Sequence, residues 1–348
     1  MSVFSKIRKS NFLIKLSSWE YWPFEVVYFP IFFYWFWLSI KSRSFFFFSA
    51  SNPGIENGGM LGESKFSILE KIDPAIKPKT FFLKAPATVS HILSLMKTED
   101  MRFPVILKPD IGERGWRVKK ISNENELEEY AKDMHVDFLV QEFIDLPMEL
   151  GVFYYRYPDD QKGLVSSIVM KEMLTVTGDG KSTLSELVLQ NDRAKLQFET
   201  LEETYNGQME QVLADGVKKE LVAIGNHSLG TKFLDGNYLI NQRLNETFDQ
   251  ISSAIDGFFF GRFDLRCADD KALYEGKIKV MELNGAGSEP AHIYNPGFSL
   301  RKAYGVLFHH WKVLYEISKI NHKKGIKYMT FKEGINEYKK VRQYNKLK

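Results

Sequence analysis

Apolar positions change period along this chain, and the changes mark its elements. Short apolar runs bounded by turn residues predict strands at Pro104–Lys108 (PVILK), Phe138–Ile144 (FLVQEFI), Gly151–Tyr157, Leu164–Leu174, Phe258–Leu265 and Lys277–Leu283. Extended chain is expected at Lys77–Leu83 and Val118–Ile121. Apolar residues three and four apart predict helices at Lys65–Ile72, Glu124–Met134, Thr183–Gln190, Leu244–Ile255 and Lys302–Ile320. Two of these helices open on capping-box patterns, Asn123…Glu126 and Thr183…Glu186. Ser44–Ala50 (SFFFFSA) reads as a short buried strand, stopped by Asn52-Pro53-Gly54 and the Gly58-Gly59 pair. Long strands interspersed with helices, and no internal repeat, give an α+β class.

One segment fits neither period. From Phe24 to Ile40 the chain reads FEVVYFPIFFYWFWLSI, in which nine of seventeen residues are aromatic. As a helix it is about 25 Å long, short of a hydrocarbon core of about 30 Å, and Pro30 interrupts it. Tyr and Trp favour the membrane–water interface, so one reading is an interfacial or re-entrant anchor. The other is an aromatic helix buried against the rest of the protein or a dimer partner. Lys41, Ser42 and Arg43 stand where a signal peptide would need a small-residue cleavage site, which argues against secretion.

Composition is that of a folded protein, 44% hydrophobic and 26% charged over 348 residues, a length that suits two compact units or one large domain with an added segment. The net charge of +3 is too small to imply a nucleic-acid partner, but it is unevenly spread. Residues 1–18 carry +4 and residues 319–348 carry +8, which leaves residues 19–318 at −9. Basic ends facing an anionic membrane and basic ends solvated as plain tails are both compatible with this. The lone Cys267 can form no internal disulfide and suits a reducing compartment.

Three clusters carry candidate chemistry. Lys108-Pro109 ends a strand and is followed by Ile111-Gly112-Glu113-Arg114-Gly115, a lysine beside a close-approach loop of the kind that suits a polyphosphate. Arg262 and Asp264, and Glu282 and Asn284, are pairs two residues apart on strands, so each pair shares a face. Adjacent strands would then offer Asp264, Glu282 and the Asn284 amide oxygen to a hard cation such as magnesium, with Arg262 beside a transferring phosphoryl group. Gly178–Thr183 (GDGKST) is not a P-loop, because Thr175 stands where that motif needs its first glycine.

In this order the motifs resemble the ATP-grasp superfamily, specifically carboxylate–amine ligases such as D-alanine–D-alanine ligase and the ATP-grasp part of cyanophycin synthetase. The resemblance covers about residues 61–320. It implies two α+β lobes clasping ATP, with residues 1–60 as a basic, aromatic segment in place of a full N-terminal domain and residues 321–348 as a basic tail. It further implies that Lys108, Gly112 and Gly115 hold the phosphates, that Phe143 and Ile144 line the adenine with Glu142 near its amino group, and that Glu149 holds the ribose. Asp264, Glu282 and Asn284 match the magnesium strands, with two Mg2+, or Mn2+ in their place, and Arg262 matches a phosphate-contacting arginine. The segment after Asn284 departs from the ligase pattern, so D-alanine is not carried over as substrate. There His292 and Glu289 are candidates for the amine end, His292 as base. His227 and Lys232 read either as phosphate contacts or as plain loop residues. His309-His310 read as packing, and Cys267 as unreactive.

The implied activity is an ATP- and magnesium-dependent ligation of a small-molecule carboxylate to an amine through an acyl phosphate, releasing ADP and phosphate. The alternatives are an ATP-grasp kinase that phosphorylates without ligation and a non-catalytic nucleotide-binding, membrane-associated module. The expected partners are small molecules, with a peripheral membrane contact and a homo-oligomer left open. The expected place is the cytoplasm or the cytoplasmic face of a membrane.

Overall fold

Residues 10–112, 115–222 and 224–345 are described by the computed structural model. The Glu113-Arg114 centre of the Gly112–Gly115 loop lies outside them, as do the basic residues Lys6, Arg8, Lys9, Lys346 and Lys348.

The aromatic segment is a helix. After α1 (Asn11–Ser17), α2 (Phe24–Ser42) runs for 19 residues with Pro30 inside it. Among the described residues no helix is long and apolar enough to cross a membrane. One side of α2 is buried: Val27, Tyr28 and Ile31 pack with Ile293, Ala303 and Leu307, and Leu38 joins a cluster with Phe47, Phe153 and Val313.

The strand expected at Ser44–Ala50 is absent. Phe47–Ala50 instead form a single 3-10 turn. Its carbonyls are met by side chains where a strand's would be met by a neighbouring strand: Ser318 Oγ donates to Phe47 O, and Asn321 Nδ2 donates to Ala50 O at 2.9 Å. An apolar run shows that a segment is buried; what satisfies its backbone decides whether it is a strand.

A first lobe follows. After α3 (Lys65–Leu69), whose Ile68 and Leu69 pack into the second lobe's core, it contains β1 (Thr80–Leu83), α4 (Val89–Thr98), β2 (Val105–Pro109), β3 (Lys119–Ile121), α5 (Glu124–Asp133) and β4 (Phe138–Glu142). Its sheet has the order β1-β4-β2-β3 with every pairing antiparallel. Ile92, Val105, Leu107, Leu127 and Val140 form its core between sheet and helices.

The second lobe is built on β5 (Met148–Tyr155) and β6 (Leu164–Glu172). A small excursion comes next, with β7 (Thr175–Thr177), α6 (Leu184–Gln190), α7 (Asp192–Lys195), α8 (Phe198–Thr204) and β8 (Lys218–Glu220). The capping box at Thr183 and Glu186 is formed, and the preceding turn is closed by Asp179, which accepts from Lys181 N and Ser182 N. Then come β9 (Lys232–Asp235), α9 (Gln242–Ser253), β10 (Phe260–Cys267), α10 (Asp270–Tyr274) and β11 (Ile278–Asn284). The antiparallel sheet has the order β11-β10-β5-β6-β9, over a core that includes Val152, Ile168, Phe248, Phe263 and Val280. The α+β expectation holds, with two lobes that each carry a sheet and its own core.

α11 (Leu300–Lys323) closes the second lobe, and the expected tail is largely a further helix, α12 (Phe331–Asn345). Phe331 and Ile335, and Val341 and Tyr344, are pairs at helical spacing, which the intervening lysines mask in the sequence. Phe331 packs on Phe45 and Phe46, and Tyr344 on Trp116.

Candidate active site

Between the lobes lies a cleft of about 720 Å3, within the usual range for a small-molecule site. β2 and the end of β4 supply one wall, β10 and β11 the other, and the start of α2 and the end of α12 close two of its margins.

The β10–β11 register sets the chemistry of the second wall. Asp264 stands opposite Glu282 and Arg262 opposite Asn284, so the four side chains meet on one face. Arg262 donates to both Asp264 oxygens, Nε to Oδ1 at 3.2 Å and Nη2 to Oδ2 at 3.0 Å. Asn284 Nδ2 donates to Asp264 Oδ2 at 2.9 Å, and Lys171 Nζ lies 3.1 Å from Oδ1. Burial opposes ionisation of Asp264, but Arg262 and Lys171 outweigh it and hold the carboxyl at about 2. Glu282 is far less engaged: it is 30% exposed, and Lys65 Nζ is 3.8 Å away.

From the first lobe Lys108, at the end of β2, crosses the cleft. Its Nζ donates to Gln141 Oε1 at 3.0 Å and to Met281 O, on β11, at 3.1 Å. Burial lowers this ammonium to about 8, partly against the field of Glu282. Lys65, at the start of α3, donates to Gly112 O and so joins the same corner. The sequence reading missed Lys65 and Lys171. Lys65 looks like an ordinary first-turn residue of a short helix, and Lys171 becomes significant only because β6 pairs with β5 beside β10.

Gly112 and Gly115 line the same corner. Gly115 has φ of 73°, and a Cβ there would come 2.7 Å from Asn226 Nδ2, so the position requires glycine. Glu142, Phe143 and Ile144 line the adjoining end. Glu142 Oε2 accepts from Lys79 N at 3.1 Å, and Lys120 Nζ sits 3.9 Å over the Phe143 ring. Glu149 also faces the cleft, with its oxygens already bonded: Oε2 accepts from Arg266 at 2.7 Å and Oε1 from Lys171 at 3.2 Å. Arg266 donates as well to Ile144 O at 3.1 Å, so one guanidinium ties the end of this wall to β5.

The opposite end is built from the N-terminal segment and the loop after β11. Trp22, Phe24 and Val27 line it together with Glu289, Ala291 and Tyr294. Tyr294 donates to Glu289 Oε2 at 3.0 Å, and Arg262 Nη1 donates to Glu289 O at 3.1 Å. Glu20 pairs with Arg193 at 2.5 Å and with His227 at 3.0 Å, and Tyr21 stacks on His227. His227 therefore belongs to the cleft wall, held from the N-terminal segment. Burial works against the charged form of Glu20, but these two partners bring its carboxyl below the ordinary value.

The remaining candidates lie elsewhere. His292 is 4% exposed, packs edge-on against Phe298 and is not among the residues lining the cleft, so the sequence-based assignment of it as a base does not carry over. Its position two residues before Tyr294 places it inside a short 3-10 turn whose buried side holds the ring. Lys232 pairs with Glu172 away from the cleft. His310 is buried on Ser166 and Val306, and Cys267 is buried with its thiol pushed up to about 11.

Among the described residues no three His, Cys, Asp or Glu side chains gather as a self-sufficient metal cage. Asp264, Glu282 and Asn284 still fit magnesium by chemistry. Two carboxylates and one amide oxygen are hard donors, and Asn284 turns its Nδ2 toward Asp264, which leaves Oδ1 to ligate. Each Asp264 oxygen, by contrast, already meets two donors from Arg262, Lys171 and Asn284, so its ligation of a metal requires one of them to give way.

No family model matches the chain. Among curated proteins it is similar to the formate-dependent phosphoribosylglycinamide formyltransferase of Sulfurisphaera tokodaii, 31% identical over 78 residues, which are 20% of this chain and 19% of that protein. The match thus spans about a fifth of that relative's length. Among solved structures it is similar to D-alanine–D-alanine ligase from Bacillus anthracis, with a TM-score of 0.42 and 15% identity over 75% of this chain and 69% of that one. It is also similar to the VanG D-Ala:D-Ser ligase from Enterococcus faecalis, with a TM-score of 0.40 and 15% identity over 74% of this chain and 61% of that one. A third is carboxyaminoimidazole ribonucleotide synthase from Aspergillus clavatus in complex with ATP, with a TM-score of 0.37 and 11% identity over 64% of this chain and 44% of that one.

Proposed function

We propose that the chain is an ATP- and magnesium-dependent carboxylate–amine ligase of the ATP-grasp type. The observation that carries this reading is the meeting of Lys108 from one lobe with the Arg262–Asp264 and Glu282–Asn284 pairs of the other across a single cleft. Cations from Lys65 and Lys108 suit the phosphates, and the end lined by Glu142, Phe143 and Ile144 suits the base.

In this reading Asp264, Glu282 and Asn284 would hold two Mg2+, or Mn2+ in their place, and the metal would neutralise phosphate charge. Arg262 lies between them and the Glu289 end and stabilises charge as the γ-phosphoryl group moves. A substrate carboxylate oxygen attacks the γ-phosphorus, and the bond to the ADP oxygen breaks. The amine nitrogen then attacks the acyl carbon of the acyl phosphate, phosphate leaves with the C–O electron pair, and the amine loses a proton. Glu289, held by Tyr294 and lining that end, takes the place first assigned to His292. The reaction belongs in the cytoplasm, where ATP and magnesium are supplied and Cys267 stays reduced.

The test is ADP formation with MgATP, hydroxylamine and pools of amino acids, short peptides and hydroxy acids. ADP with a hydroxamate supports the ligase and names the acid on deconvolution. ADP with a stable phosphorylated product and no hydroxamate overturns ligation in favour of a kinase.

A further inference from the structure

The side of α2 turned away from the core is apolar along its length. Phe29, Phe33, Phe36, Trp37 and Ile40 recur at the spacing of one helical face, and Phe29, Phe33 and Ile40 are each more than 60% exposed. Phe36 leads to Phe45 at 6.1 Å between ring centroids, and Phe45 to Phe331 at 5.8 Å, so the face continues onto α12. Such a continuous exposed face is far outside the scattered apolar residues of an ordinary surface.

We infer that this face docks on the surface of an anionic lipid leaflet, with α2 lying in the plane of the headgroups. Three observations favour a leaflet over other occupants. Phe and Trp dominate the stripe, the composition that an interfacial helix uses to bury its apolar side at headgroup depth. Exposed cations rim the far end: Lys41 and Arg43 follow the stripe, Lys319 flanks the same Tyr315 ring as Lys41, and Lys332 is adjacent to Phe331. The sole acid on α2, Glu25, lies one turn before Phe29 on this face, at the end of the helix away from the basic rim. Finally, the opposite side of α2 is pinned to α11 through Val27, Ile31 and Leu307, which lets the helix lie on a membrane but not cross it. The leaflet would cover the stripe while the basic rim meets anionic headgroups.

The test is sedimentation of the full chain with vesicles of phosphatidylcholine containing about one-third phosphatidylglycerol, against phosphatidylcholine alone, in low and high salt. The wild type is expected to pellet with the anionic vesicles, with a blue shift of tryptophan emission. Phe29→Ser/Phe33→Ser/Trp37→Ser and Lys41→Glu/Arg43→Glu are each expected to reduce partitioning by about tenfold or more. These side chains are exposed, so an unchanged thermal midpoint shows that the variants remain folded. A wild type that stays in the supernatant at low salt overturns the proposal, as does stripe-variant binding equal to wild type. Light scattering that shows a stable oligomer dissolved by the stripe substitutions assigns the face to a second copy and also overturns it. No nucleotide enters this experiment, so its outcome is independent of the ligase reading.

Discussion

Two carboxylates on neighbouring strands face one cleft, yet their surroundings assign them different tolerances. Asp264 is buried among Arg262, Lys171 and Asn284, so Asp264→Asn leaves two cations without their partner and should cost about 3–5 kcal/mol in chemical denaturation. Glu282 has no such duty. Glu282→Gln should leave the denaturation midpoint within about 0.5 kcal/mol of wild type while lowering turnover by three or more powers of ten, about 4 kcal/mol. Lys108 gives a pH dependence. Burial sets its ammonium near 8 in the free protein, so it is charged below that pH and loses its proton above it. ATP affinity should therefore weaken as pH rises through about 8, and Lys108→Arg, which stays charged, should flatten the profile in equilibrium titrations at fixed ionic strength. That Lys108, Arg262, Asp264, Glu282 and Asn284 line one cleft was legible because each sits in a short local pattern. Lys171 and Arg266 were not, since only the pairing of distant strands brings them to Asp264 and Glu149, and neither was Lys65, which α3 carries to Glu282 and Gly112 O.

Elements were legible wherever periodicity decided them. The strands from β2 to β6 and the pair β10 and β11 lie where the apolar runs place them, and Thr183 caps α6 as its spacing implies. The Phe-rich Ser44–Ala50 run misled because side chains of α11, not a neighbouring strand, take its carbonyls. The turn that follows depends on Asn52. Its Nδ2 donates to Gly58 O and Phe260 O, and its Oδ1 accepts from Phe259 N and Phe260 N. Asn52→Ala removes four hydrogen bonds to the backbone beside β10 and should cost about 3 kcal/mol or more in urea unfolding. A second element-level effect follows from α11. Burial lowers His310 from 6.5 to about 4, so the folded chain keeps it neutral while the unfolded chain takes up a proton below about 6.5. The stability that His310 contributes should fall as pH drops from about 6.5 to about 4, by on the order of 3 kcal/mol, and that contribution should level off below. Thermal melts of wild type against His310→Gln check this: the variant should lose most of the slope in that window.

At the scale of the whole molecule, two sheets with separate cores meet at a cleft, and the N-terminal segment is part of its wall. The sequence pattern carried the α+β class and the order of motifs. It did not carry the position of residues 20–27 at one end of the cleft, because contacts such as Glu20 with Arg193 join residues far apart in the chain. Nor did it carry the approach of residues 58–59 to the end of β11. There Gly59 has φ of 78°, and a Cβ would come 2.7 Å from Gly285 Cα. The basic C-terminal stretch was read as a tail because its lysines conceal the apolar spacing of α12, whose Val341 and Tyr344 reach the cleft margin. The proposed function requires that this cleft bind ATP with magnesium between Lys108 and the β10–β11 pair. Calorimetric titration of ATP, with and without magnesium, tests it without any knowledge of the other substrates. The wild type is expected to bind ATP more tightly with magnesium, Lys108→Met to bind at least about tenfold more weakly, and Glu282→Gln to lose the magnesium dependence. No ATP binding by the wild type, or equal affinity in Lys108→Met, would contradict it.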